Sequence, residues 1–560
     1  MNTLDHEDAM QYTPAALKIP EILENIFSFA DEQSNRNVNV LVCKRWSEPC
    51  MNIIWSELDN LGYVVRLLGP ISFTYSMSAE FVNNKEPLKW DRFSFYARRV
   101  WRIACRPDRS RPGAYARVFS EIAFSRPSAP LFPNLKTLQW YGETYHCREN
   151  FFFMFMESTL QHYALHEASS SLPGSALSLV LRTVAERCPC LDSVKVVLGS
   201  DGEGVGDTVL EFVEKMVNVK SIELSAFKNM IPFTSTLRKI AHLEELIIGY
   251  QNSSQFRSSI ESLATPFAGS NSFARLAKFC IVASYSIAEE FFSLAATFPS
   301  MKKIYIASDL AKPETPMSVK HLLELFATKC PNLDALCLSY SSLAQAKQPS
   351  RLPPASCIVK SLHLRPLLGC ARIRNFEFNH PYPVSVDDSF AEEMAVGWPD
   401  LLKLSLTPVP SVQRKDFKNT FTLRALLSFA RHCRHLHHLA ILISTESSTC
   451  PTISDIQELP PQFFCGLSIL DVGSSLLYEA DLVPITRILG HLLPDKCQLN
   501  FDELSTMSNR EGGKSRWKSV KGRIRFVRWM ELETGSRIRA LERENKTLRA
   551  RLNASFSTSS

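Results

Sequence analysis

The run Arg431-His432-Cys433-Arg434-His435-Leu436-His437-His438 gathers four imidazoles and a thiol within eight residues, the donor types a zinc ion would take. Its setting argues against a metal. Residues 431–435 read as the end of a helix and 436–442 as the start of a strand, which sends His437 and His438 to opposite faces, and no C-x-x-C partner lies at zinc spacing. They read instead as helix-end cations and strand surface. A second candidate, VKVVLGSDGEGVGDTVLEFVEK, imitates the strand, glycine loop and helix of a nucleotide-binding turn. Gly202, Gly204 and Gly206 do not give G-x-G-x-x-G, and Asp201, Glu203 and Asp207 would repel a pyrophosphate at the helix end, so a surface loop is expected. H-E-x-x-H, G-x-S-x-G and P-loop motifs do not occur. The expectation is a non-catalytic protein with no cofactor and no metal.

The elements behind these residues are those of a folded chain. Of 560 residues, 45% are apolar and 21% charged, with 20 Gly and 32 Pro, which excludes a disordered, collagen-like or linker-dominated chain. The opening MNTLDHEDAM is acidic without an apolar core, unlike a signal peptide, and no apolar run reaches bilayer length. An intracellular protein, in cytoplasm or nucleus, is expected. The 15 cysteines then read as reduced thiols packed like small hydrophobes, as at Cys43, Cys188, Cys330 and Cys433. The net charge of +6 is concentrated in residues 510–551, where 14 Lys/Arg face 5 Asp/Glu. Without an aromatic-interleaved motif this basic stretch reads as the solvated face of a helix, not a nucleic-acid site.

Residues 17–58, LKIPEILENIFSFADEQSNRNVNVLVCKRWSEPCMNIIWSEL, carry the most specific pattern. Pro20 suits a first helical turn, and Ile22, Leu23, Ile26, Phe27 and Phe29 form an apolar stripe on a helix ending near Ala30. Val38, Leu41, Val42, Arg45 and Trp46 predict a second short helix, and Met51, Ile53, Ile54 and Trp55 a third apolar element. Three helices in so few residues bury little core, so a partner is expected. The ordered elements IPEIL, IF, LVCKRW and W resemble an F-box, with Ile19 in place of the commoner Leu. The resemblance implies docking to a Skp-family adaptor and through it to a cullin scaffold and a ubiquitin-conjugating enzyme. Carried over by position, it implies a contact set of Ile19, Pro20, Ile22, Leu23, Ile26, Phe27, Leu41, Val42, Cys43, Trp46 and Trp55.

After a helical connector at 61–129, which includes Arg98, Arg99, Val100 and Trp101, a phrase recurs: FPNLKTLQW, CPCLDSVKVV, FPSMKKIYI, CPNLDALCLSY, WPDLLKLSL and CRHLHHLAILI. VNVKSIEL, AHLEELIIGY, FARLAKFCIV, CIVKSLHL, ARIRNFEF and CGLSILDV are weaker copies. In L-x-x-L-x-L the last two apolar residues alternate as in a half-buried strand, while the first closes the turn before it. Amphipathic helices precede Cys188, Cys330 and Cys433. The array resembles the irregular, cysteine-containing leucine-rich repeats that follow F-boxes, many of them fungal, although Gly249, Ala307 and Ser339 stand where an Asn usually ends the strand. The fold class expected is α/β: an F-box at 15–60, then at 130–505 a solenoid with a parallel inner sheet whose exposed residues bind a protein substrate. Lys195, Glu223, Glu245, Lys303, Tyr305, Asp334, Lys403, Ser405 and His437 are the candidate inner-face positions.

A basic helix or short coiled coil is expected at 520–553, where Ile538, Leu541, Asn545, Leu548 and Leu552 follow a and d spacing and allow self-association. The function expected is a substrate receptor of a Skp/cullin/F-box ubiquitin ligase. The alternative is a ligase-independent interaction scaffold.

Overall fold

The computed structural model describes residues 14–74, 78–82, 86–106, 115–141, 151–167, 174–198, 204–249, 260–263, 273–308, 313–340, 357–410, 420–446, 450–460, 464–502 and 511–557. The acidic first residues and positions 199–203 of the glycine loop lie outside them. The fold is α/β, and the chain divides into two compact units, residues 1–262 and 263–560.

The first unit begins with helix α1 (Pro20–Ser28), which Pro20 opens at its first turn as its missing N–H allows. The second expected helix is interrupted: a π-helical turn at Asn35–Asn39 and a single turn at Val40–Val42 end at Cys43, which is fully extended (φ −162°, ψ 165°). The chain then restarts as α2 (Lys44–Ile54), which absorbs both Trp46 and the expected third element. Parallel strands follow: β1 (Glu57–Leu58), then, after the antiparallel hairpin β2 (Ile71–Phe73) and β3 (Ala79–Phe81), β4 (Arg102–Cys105), β5 (Thr137–Tyr141), β6 (His162–Glu167), β7 (Ser193–Leu198), β8 (Ser221–Leu224) and β9 (Glu245–Ile248). Within the unit the sheet runs β1-β4-β5-β6-β7-β8-β9 in sequence order. The expected connector therefore holds a rung of its own, β4, besides its helices.

Register explains the core. Leu58, Ile103, Leu138, Tyr163, Val194, Ile222 and Leu246 are successive partners across the ladder, and Cys105, Trp140, Leu165, Val196, Leu224 and Ile248 form the next column toward the strand ends. Alternation places both columns on one face, where helices such as α3 (Gly174–Arg187) and α4 (Val205–Lys215) cover them. Gly249 ends β9 with φ +70°, a left-handed conformation that costs glycine little, and its N–H donates to Leu224 O at 2.8 Å.

The second unit repeats the plan with β10 (Lys278–Val282), β11 (Lys303–Ser308), β12 (Ala335–Tyr340), β13 (Asn375–Phe378), β14 (Lys403–Leu406), the short β15 (Phe421–Thr422), β16 (His438–Ile441), the short β17 (Ile443–Ser444), β18 (Ile469–Asp471) and β19 (Gln498–Asn500). Strands β15 and β17 pair with each other, and the rest form one parallel ladder in sequence order. Helices α5 (Pro316–Lys329), α6 (Asp388–Gly397) and α7 (Arg424–His432) each precede a turn and a strand, the order expected before Cys330 and Cys433. Helix α8 (Leu482–Leu492) is followed by β19 and by α9 (Glu511–Ser557), which starts earlier than the 520–553 segment expected.

In the second unit the turns are closed in a common way. The first apolar residue of the phrase donates its N–H to the carbonyl three residues back: Met301 to Phe298, Leu333 to Cys330, Ile373 to Cys370, Leu401 to Trp398 and Leu436 to Cys433, at 3.1–3.3 Å. These residues are all buried. One weak copy departs from expectation: in CIVKSLHL, residues Ser361–Leu364 are helical. ARIRNFEF supplies that rung as β13, and Leu364 and Leu367, three apart, bury the preceding segment's apolar face without a strand.

The recurring cysteines sit where helix meets turn. Cys188, Cys330 and Cys433 are fully buried, and Cys433 Sγ donates to Ala395 O (3.7 Å) and Trp398 O (3.5 Å) of the preceding repeat. Burial pushes the Cys188 and Cys433 thiols up to about 12, so at neutral pH both are protonated and poor nucleophiles. A thiol-alkylating reagent is therefore expected to label the exposed Cys43, Cys190 and Cys465 in the native protein and to spare Cys188, Cys330 and Cys433 until the chain is unfolded. Mass spectrometry of the labelled peptides checks this, and labelling of all six at equal rates would contradict the packing.

Candidate docking surface on the amino-terminal module

The module's own core is small. Leu23, Phe27 and Cys50 are buried, and Leu17, Val40, Trp46, Ile53 and Ile54 pack partly against them. Phe27 and Trp46 meet edge to face at 5.2 Å. A polar residue that apolar patterning does not reveal completes it: Asn35, 2% exposed, donates through Nδ2 to Phe27 O (2.8 Å), satisfying a carbonyl at the end of α1. Its Oδ1 accepts from Asn39 Nδ2 at 2.9 Å and lies 3.9 Å from the Cys50 thiol.

The expected contact set separates into three groups. Leu23 and Phe27 are structural, and Trp46 is half-buried against them. Trp55 also faces inward, with its ring 4.6 Å from that of Tyr96 in the connector. Pro20 and Cys43 are exposed, as are Ile19 (44%), Ile22, Ile26 (45%), Leu41 (77%) and Val42 (54%), together with Phe29 (86%) and Val38 (58%), which the contact set omitted. Helical spacing accounts for the division. Residues 19, 22, 26 and 29 step by three and four along one side of α1, adjacent to the stripe holding Leu23 and Phe27, and residues 38, 41 and 42 share one side of the following turns. Two exposed apolar stripes thus flank a core of three buried side chains.

The module is tied to the connector by one buried cation. Arg99, its side chain 4% exposed, donates from Nε to Asn52 Oδ1 (2.9 Å) and lies 3.5 Å from Glu48 Oε1; Asn52 Nδ2 in turn donates to Glu24 Oε1 of α1 (2.7 Å). Arg99 also donates to the Phe95 carbonyl and lies over the Phe95 ring, 4.3 Å from its centroid. With the Asn35 bonds and the Trp55–Tyr96 contact, this side chain holds α1 and α2 in place. Replacing Arg99 with Met keeps most of its volume but leaves Asn52 and Glu48 without their cation, and is expected to destabilise the module by about 1–3 kcal/mol. Hydrogen exchange checks it: amides of α2 should lose protection while those of β7 keep theirs, and unchanged α2 exchange would refute the tie.

The strand face away from the helices carries Lys195, Glu223, Glu245, Lys303, Tyr305, Lys403 and Ser405, whereas Asp334 and His437, expected there too, stand one residue ahead of β12 and β16 and in phase with the core leucines. Lys195 pairs with Glu223 on the neighbouring strand (2.7 Å), Lys403 with Glu377 (2.8 Å) and Asp334 with Arg374 (3.7 Å). Glu245 accepts from Ser221 Oγ at 3.0 Å, and Ser405 is 7% exposed. Lys303 is exposed and Tyr305 half-buried on β11. Most of these positions therefore serve the ladder as cross-strand pairs. In the histidine run, His432 Nε2 lies 2.8 Å from Glu392 and His437 Nδ1 2.7 Å from Gly466 O, while His438 sits on β16. Among the described residues no group of three or more His, Cys, Asp or Glu side chains could hold a metal ion, and no helix is long and apolar enough to cross a membrane.

No family model and no curated protein matches this chain.

Proposed function

We propose that the chain is a substrate receptor of a Skp/cullin/F-box ubiquitin ligase, in which the exposed stripes of residues 19–42 dock a Skp-family adaptor and the parallel sheet presents a surface to a protein substrate. The observation that supports this reading is the mismatch in the first forty residues of the fold: three buried core side chains stand beside seven exposed aliphatic or aromatic ones. A free module of that composition would be costly to leave in water, whereas an apolar partner groove would cover Ile22, Ile26 and Leu41 together with Phe29. The parallel strand ladder supports the second half of the reading, since repeat arrays of this kind bind macromolecules over an extended strand face.

Affinity capture of the full chain from cells under proteasome block tests the reading. Adaptor and cullin should be recovered together, and a variant that loses the adaptor should lose cullin and retain substrate. Recovery of adaptor without cullin would instead assign the chain to ligase-independent scaffolding.

A further inference from the structure

Helix α9 has two halves with different surroundings. Near its start Trp517 (2% exposed), Val520 and Ile524 are buried, Trp517 Nε1 donates to Ser475 O (2.8 Å), and Arg516 Nε donates to Glu479 Oε2 (3.0 Å). Val527 lies against Gly490 of α8, where an added Cβ would meet Val527 Cγ1 at 3.4 Å. From Arg537 onward every residue whose side chain is described is exposed, including Leu541 (64%) and Leu548 (54%). The helix continues to Ser557 nevertheless.

We propose that residues 537–552 form a parallel, in-register two-stranded coiled coil with a second copy of this chain, so that the receptor works as a homodimer. Leu541 and Leu548 occupy d positions and Ile538, Asn545 and Leu552 a positions of one heptad frame. The amide of Asn545 selects the occupant. Buried against the apolar stripe of an unrelated helix, or opposite leucine in an antiparallel pair, it would be left without a partner, whereas in a parallel pair it meets its own counterpart and the two amides bond each other. The charges select the same arrangement independently. In this frame Arg537 and Glu544 hold g positions, and Glu542 and Arg549 hold e positions. In a parallel pair each g residue faces the e residue five positions further along the other chain. Arg537 then faces Glu542 of a second copy, and Glu544 faces its Arg549, so every such contact joins opposite signs. Two heptads are a short zipper, but the helix is already nucleated by the packing of Trp517, Val520 and Ile524, which removes the unfavourable first turn from the association.

Light scattering on the full-length protein tests the proposal through mass as a function of concentration. Wild type should approach twice the 63.3 kDa of the chain, and the double variant L541E/L548E should remain at 63.3 kDa with an unchanged unfolding profile. Charge exchange tests direction. R537E/E544K and E542K/R549E should each be monomeric alone, since each places like charges across the pair, and an equimolar mixture should recover the dimer. A wild type that stays monomeric at every concentration overturns the proposal. So does a dimer that L541E/L548E leaves intact, and a mixture of the charge variants that fails to associate overturns the parallel register.

Discussion

The double variant I26D/L41D is expected to lose adaptor binding while keeping its fold. Both side chains are exposed, Ile26 at 45% and Leu41 at 77%, and neither belongs to the buried cluster of Leu23, Phe27 and Cys50. Truncating a central apolar anchor of a protein interface costs about 2 kcal/mol, roughly 30-fold in affinity. Two carboxylates buried in an apolar groove cost more, so a loss of at least about 100-fold is expected. Leu23→Ala separates docking from folding. Leu23 is fully buried, so its truncation should cost about 2–5 kcal/mol, and any loss of binding should be accompanied by lost protection in α1 and α2. Co-purification with the adaptor, read beside hydrogen exchange of residues 20–54, checks both. Wild-type affinity of I26D/L41D would remove these stripes from the interface.

The second large effect is expected at Phe292 in the second unit. Its ring centroid lies 4.9 Å from that of Phe326, 5.1 Å from Phe298 and 5.4 Å from both Phe279 and Phe291, and the side chain is fully buried. These residues join β10, the helix ahead of β11, the turn and α5, so one side chain spans two repeats. Phe292→Ala should destabilise this unit by about 3–5 kcal/mol, since rings held at fixed offsets on several sides cannot collapse into the cavity. Denaturant unfolding followed by hydrogen exchange should show the loss at β10, β11 and α5. A change below about 1 kcal/mol would mean that the cluster relaxes around the gap.

The parts of this architecture that local pattern controls are legible in the sequence. Pro20 marks the start of α1, Cys330 and Cys433 end helices, and Leu333, Leu336 and Leu338 close a turn and face the core, because each follows from a residue's own backbone constraints or from alternation. What escaped depends on partners distant in the chain. Arg102–Cys105 becomes a rung because Trp101 and Arg102 donate to Ser56 O, a pairing nothing in RIAC announces. His162–Glu167 lacks the preceding Cys-Pro or Phe-Pro turn, although Tyr163 and Leu165 alternate correctly. Ser361–Leu364 went the other way, as its leucines satisfy helix and strand equally well and the next segment held the rung. In the module, composition identified the apolar residues without sorting them. Which face inward depends on where α2 crosses α1, and that is set by the Asn35 and Arg99 hydrogen bonds.

The register of the ladder bears on how the chain acquires its structure. Within each unit every rung of the main sheet pairs with the rung just before it in sequence, and repeatedly the residue ahead of a strand donates to the carbonyl ahead of the previous one, as Arg374 does to Asp334, Leu402 to Arg374 and His437 to Leu402, at 2.7–2.8 Å. Parallel sheets ordinarily fold slowly because their partners are far apart along the chain. Here the longest loop to be closed is about one repeat, however many repeats there are. Each new strand finds its template already laid down by the one before it, so the array can be assembled in the order in which it leaves the ribosome.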